Sequence, residues 1–113
     1  MKIKTSELTG MPLDFAVVYA EASGLDTKNV LSKGVLVMAV KRGAVRRSTD
    51  WAQGGPLIER NLITIFRHDE EWFAHSQLST PEDFHGDTPL IAAMRCYVAS
   101  KLGDEVEIPE ELT

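Results

Sequence analysis

Between residues 89 and 100 the only charged side chain is Arg95. Asp87 or Thr88 can cap the start of a helix there, and Pro89 fits a first turn whose amides lack helical partners. Gly103 supplies a stop, so residues 90–102 read as a helix that is apolar nearly all round. Such a helix has no face to give to water. It must be enclosed by the rest of the fold or shared with a second subunit. Ala92, Cys96 and Ser100 form a ridge of small residues at four-residue spacing, which lets another element approach closely. Two occupants of the ridge are open: a helix of the same chain, or the same helix of a second copy in a homodimer.

The 113 residues are enough for one core and too few for two, so residues 1–113 are expected to form a single domain. With 43% hydrophobic and 26% charged residues, the composition is that of a folded chain rather than a disordered one. No apolar run approaches the roughly 18 residues of a membrane span. Met1-Lys2-Ile3-Lys4 is not followed by the apolar segment of a secretory signal. Cys96 is the only cysteine, which fits a reducing compartment, and the expected location is the cytoplasm. A net charge of −5 speaks against nucleic acid or a membrane as a partner of the whole surface. Charge is unevenly spread, however. Lys41, Arg42, Arg46 and Arg47 lie close together, while Asp104, Glu105, Glu107, Glu110 and Glu111 crowd the end. These two groups are open to pairing within one chain, between two copies, or with water alone.

Residues 12–22 read as a first helix, with Thr9 as N-cap, Leu13, Ala16, Val17 and Ala20 at helical spacing, and a stop at Ser23-Gly24. Asp14 sits near its positive end. Residues 35–40 are a short apolar run between Gly34 and Gly43, which predicts a strand buried on both faces. Residues 62–66 and 72–76 flank a polar stretch and predict a β-hairpin with a longer loop. Asp50 and Gln53 have the spacing of a capping box, and Pro56 predicts a turn followed by a short helix over residues 56–60. The expected class is α+β: about three strands, an antiparallel hairpin among them, with helices packed on the sheet.

Two long segments, residues 48–60 (STDWAQGGPLIER) and residues 88–107 (TPLIAAMRCYVASKLGDEVE), resemble the NinX family of small lambdoid-phage proteins. The opening MKIKTSELTG is similar to that family's start, and residues 27–47 are the least similar part. The resemblance implies a phage or prophage protein acting in a bacterial cytoplasm, and it carries no catalytic residues with it. A related group of phage domains implies an α/β/α sandwich.

The strongest candidate site is Asp50, Trp51, Gln53, Gly54 and Gly55, with Arg95 or the basic stretch of residues 41–47 as the source of countercharge. The glycines permit close approach, Trp51 offers a stacking face, and amides at a helix start can hold an anion. The plainer alternative is that Asp50 caps, Trp51 fills a core edge and Gly54-Gly55-Pro56 turns the chain. Arg95 must pair, snorkel or meet a ligand, and Asp14, Asp50 and Glu59 are equally open as its carboxylate partner. Gly54-Gly55 lacks the Gly-Lys-Ser/Thr ending of a phosphate loop. His68, His75 and His85 do not form a metal motif; His75 is expected to face His68 or Glu70 across the hairpin. Cys96 reads as a buried apolar residue. Neither a metal nor a cofactor is expected. The leading expectation is a phage accessory protein that binds a host or phage protein, or a small anionic ligand such as a nucleotide. The rival is a small enzyme acting on a nucleotide through Asp50, Glu59 or a histidine.

Overall fold

The apolar helix is the centre of the molecule. The structure, a computed structural model, describes residues 1–22, 33–77 and 82–113. The elements are β1 (Lys2–Lys4), a 3-10 turn (Thr5–Glu7), α1 (Gly10–Ala22), α2 (Lys33–Lys41) and α3 (Trp51–Arg60). Then come β2 (Ile63–His68), β3 (Glu71–Ser76), β4 (Phe84–Gly86), α4 (Pro89–Leu102), β5 (Glu105–Glu107) and a last 3-10 turn (Glu110–Leu112). The stop expected at Ser23-Gly24 lies outside the described residues.

α4 begins where its caps predict. The Thr88 hydroxyl accepts from the Ile91 amide at 3.1 Å, Pro89 fills the first turn, and Gly103 ends the helix at φ 85°. β2, β3 and β4 pack along one side of α4, and α1 and α3 along the other. Ala92, Ala93, Met94, Cys96 and Val98 are wholly buried as a result. The small-residue ridge meets this chain's own sheet: a Cβ on Gly86 would stand 2.8 Å from the Ala92 nitrogen, and the Cys96 thiol bonds the Ser76 backbone. α4 therefore needs no second copy to cover it. Among the described residues the layers run sheet, α4, then α1 with α2 beyond it. The sandwich that the resemblance implies thus has a helix, not the sheet, in the middle.

The main sheet has the order β2-β3-β4, all antiparallel. Its hairpin turns on two residues, Asp69 and Glu70, both at positive φ (49° and 67°). That is the tight reversal that matches strand twist, in place of the longer loop expected. A second sheet pairs β1 with β5 and sets Lys2 opposite Glu107, Ile3 opposite Val106 and Lys4 opposite Glu105. Each strand offers one apolar residue between two charges of one sign, and the partner supplies the opposite sign.

Two further expectations are corrected. Residues 35–40 are not a strand but most of α2, with Leu36, Val37 and Val40 buried and Val35 and Met38 about half exposed. That pattern is helical. A run in which every residue is apolar hides its period, because no polar residue marks the outer face. Pro56 does not divide residues 51–60, which form the one helix α3. It removes a single amide bond to Ala52, whose position is exposed, so water can satisfy the freed carbonyl.

Candidate functional site

α3 is held at its start by bonds that reach back to α1. Asp50 is extended (φ −108°), and its carboxylate accepts from the Ala52 amide at 2.9 Å. The turn before it is tied down by Asp14 of α1, whose Oδ1 accepts from both the Ser48 amide and the Ser48 hydroxyl at 2.8 Å. Burial pushes the Asp14 carboxyl above its ordinary pKa, against the Ser48 bonds and the nearby Arg47 and Arg46. Asp14 is thus a structural anchor rather than a helix-end charge. Arg47 donates to Glu21 of α1 at 3.1 Å and to Gln53 Oε1 at 2.6 Å.

Gln53 is not the second half of a capping box. Its Oε1 also accepts from the Arg46 amide at 2.8 Å, and its Nε2 donates to the Ala44 carbonyl at 3.1 Å. One side chain thereby closes the loop that enters the helix. Gly54 is required by this closure, since a Cβ there would run into the Arg47 carbonyl and stand 2.6 Å from Leu90 Cδ1. Gly55 has no such constraint: its Cβ would meet only the Trp51 ring, at 3.9 Å. Sequence reasoning missed Glu21, Ser48 and Ala44 because their partners are distant in the chain or are backbone atoms, which leave no residue signature.

Trp51 stands outside this framework. It is 53% exposed in the first turn of a helix whose foundations are fixed, beside the exposed Arg46, which lies 3.8 Å from Asp50. At the helix start the Asp50 carboxylate, which accepts from the Ala52 amide, itself supplies negative charge. Arg95 does not join the group. Its Nε donates to the Leu8 carbonyl at 2.7 Å and its Nη1 to the His85 carbonyl at 2.8 Å. Burial pulls its pKa below the ordinary value, opposed by Asp87. None of Asp14, Asp50 and Glu59 is its partner; backbone carbonyls of two segments satisfy the guanidinium instead.

The sequence matches residues 4–101 to the family described as "Bacteriophage P22, NinX". The chain belongs to the NinX family of phage proteins. No curated protein matches it in direct comparison. The NinX match takes in α1, the Asp14–Ser48 anchor, α3, the hairpin and nearly all of α4, and stops before β5.

The histidines of this NinX chain all lie on the face of the main sheet that is turned away from α4. Strand register gives rows Thr64–His75 and Phe66–Phe73–His85, with His68 opposite Glu71 rather than near His75. Each imidazole has its own carboxylate: His75 with Asp83 at 3.1 Å, His68 with Asp69 at 3.2 Å, His85 with Glu71 at 3.8 Å. Among the described residues no three His, Cys, Asp or Glu are grouped to hold a metal ion. Burial pushes the Cys96 thiol up to about 11. Among the described residues are two open grooves, one of about 330 Å³ beside Lys33, Glu107 and Glu110, the other of about 260 Å³ beside Lys4, Glu82 and Asp104. Neither is lined by Trp51 or Arg95. No helix among the described residues is long and apolar enough to cross a membrane.

Proposed function

We propose that this phage accessory protein works by binding a protein partner at the Trp51 end of α3. The observation that carries the reading is a half-exposed tryptophan on a helix start immobilised by Asp14, Gln53 and Arg47. Tryptophan and arginine dominate binding energy at interfaces because they bring large area and fixed donors at small entropic loss. Arg46 is exposed beside this helix start, so the fitting partner presents an acidic group next to an apolar notch. An anionic small molecule is the weaker reading, since the Asp50 carboxylate already accepts from the Ala52 amide and brings negative charge to the helix start.

Trp51→Ala and Arg46→Glu test this. Both positions are exposed, so melting should stay within a few degrees of wild type. A phage or host protein captured by wild type should lose at least about tenfold in affinity for each variant. A captured protein that binds both variants as tightly as wild type would overturn the reading. So would a nucleotide that raises the melting temperature of wild type but not of Trp51→Ala, because the site would then be a small-molecule site.

A further inference from the structure

We propose that two copies of this chain pair through α2 about a two-fold axis, each α2 antiparallel to its mate. α4 was the obvious interface by composition, yet its own chain encloses it. α2 is the apolar helix left partly uncovered: Val35 is 51% and Met38 50% exposed, and the two lie one turn apart on its outer face. Arg42 continues the same stripe one turn further on. Gly34 adds no side chain to the surface, and a Cβ there would meet nothing within 4 Å. Small residues beside exposed apolar ones permit a helix axis to approach closely.

The charges at the two ends of this stripe are opposite in sign. Lys41 and Arg42 stand at the C-terminal end of α2. At its N-terminal end Glu107, Glu110 and Glu111 share a groove with Lys33, Gly34 and Val37. Within one chain only part of each group is paired, and with partners outside the other group. Arg47 pairs with Glu21, Arg46 with Asp50, and Glu107 with the N-terminal amine of Met1. Among the described residues no ion pair joins the basic stretch to the acidic tail. The nine residues of α2 span about 13 Å, so they hold the two groups apart. A two-fold axis through the middle of the stripe brings each basic end onto the acidic end of the mate. It sets Val35 and Met38 against Met38 and Val35 of that mate, which is the self-complementarity an isologous interface requires. Antiparallel helix dipoles add to the same preference. Trp51 takes no part in the contact, so the pairing stands apart from the partner site above.

Sedimentation and light scattering at low ionic strength, over the micromolar range, read the mass. Wild type should dimerise, and Met38→Glu should raise the dissociation constant at least about thirtyfold while melting as a folded protein. Lys41→Glu/Arg42→Glu and Glu110→Lys/Glu111→Lys should each be monomeric, because both halves of the interface then oppose like charges. An equimolar mixture of these two variants should dimerise again, since every contact in the mixed pair is between opposite charges. A monomeric wild type, a dimeric Met38→Glu or a mixture that stays monomeric overturns the proposal. Trp51→Ala should dimerise as wild type does, and a monomeric Trp51→Ala would place the interface elsewhere.

Discussion

α4 and α2 each carry an unbroken apolar run, and the fold uses the two in opposite ways. α4 has eight buried residues and sits between a sheet and two helices. α2 buries Leu36, Val37 and Val40 against its neighbours and turns Val35 and Met38 outward. Hydrophobic content is therefore no measure of depth. What separates the two is the number of elements that reach them. Among the described residues α4 is flanked by the hairpin, β4, α1 and α3, whereas α2 packs mainly on α1 and the final turn. An apolar residue on α2 can thus face outward without leaving a void, and that outer face is what a partner would cover.

The largest expected effect breaks the comparison at its extremes. Ala92→Glu would force a carboxylate into a wholly buried position with the β4 backbone against it. The expected loss is at least about 4 kcal/mol, enough to unfold much of the protein. Met38→Glu adds the same charge to a half-exposed position and should change stability by less than about 0.5 kcal/mol in dilute, monomeric protein. Urea denaturation of both variants decides it. If they lose similar stability, α2 is not the open helix described above.

The same contrast explains what the sequence could and could not say. α4 was legible because its ends carry Thr88, Pro89 and Gly103 and because one charge in a long apolar run admits few packings. α1 was legible through Leu13, Ala16, Val17 and Ala20, all buried as their spacing predicts. α2 was misread as a strand because an unbroken apolar run has no polar face from which to count. Residues 51–60 were divided at Pro56, although one missing amide bond is tolerable where a carbonyl is open to water. The hairpin was found but not its turn, since Asp69 and Glu70 adopt positive φ without the glycine that usually signals it. β1 and β5 were overlooked at three residues each, yet Lys-Ile-Lys and Glu-Val-Glu do announce a pairing once they are read against each other. Of the candidate site, the Asp50 cap follows from local sequence, whereas Trp51 was open between a core edge and an exposed stacking face until its 53% exposure decided it. The position of Arg95 does not follow from local sequence, because its partners are carbonyls of Leu8 and His85.

A middle-sized effect compares Arg95 of α4 with Arg42, which lies just past the end of α2. Arg95→Ala should cost about 1–2 kcal/mol, because the Leu8 and His85 carbonyls lose their donors together. Arg95→Lys should recover only part of this, since an ammonium on a flexible stem does not span two carbonyls as the planar fork does. Arg42→Ala, on the exposed extension of α2, should be neutral within about 0.5 kcal/mol. Thermal melts suffice, at roughly 3–6 °C per kcal/mol for a domain of this size. An Arg95→Ala variant that melts like wild type would show that its two bonds contribute nothing net.

The smallest effect turns on sign rather than size. Gly34 lies in the first turn of α2 with open space around the position of a Cβ. Gly34→Ala should stabilise the monomer by about 0.5 kcal/mol, because alanine surrenders less backbone freedom than glycine on entering a helix. The gain falls at the lower end of the usual range, since residues near a helix start are only partly committed to it. Gly86 carries the opposite expectation. A Cβ there would meet the Ala92 nitrogen and Ile91 Cγ2, both at 2.8 Å, so β4 could stay in place only by displacing α4. Gly86→Ala should therefore destabilise, as overpacking against backbone does. Melting each variant at a concentration low enough to exclude self-association isolates the two signs. A gain at Gly86 would mean that α4 is seated less tightly on the sheet than its burial indicates. A loss at Gly34 would mean that the outer surface of α2 is already occupied in the monomer, and the contrast between the two helices would fail at its weaker end.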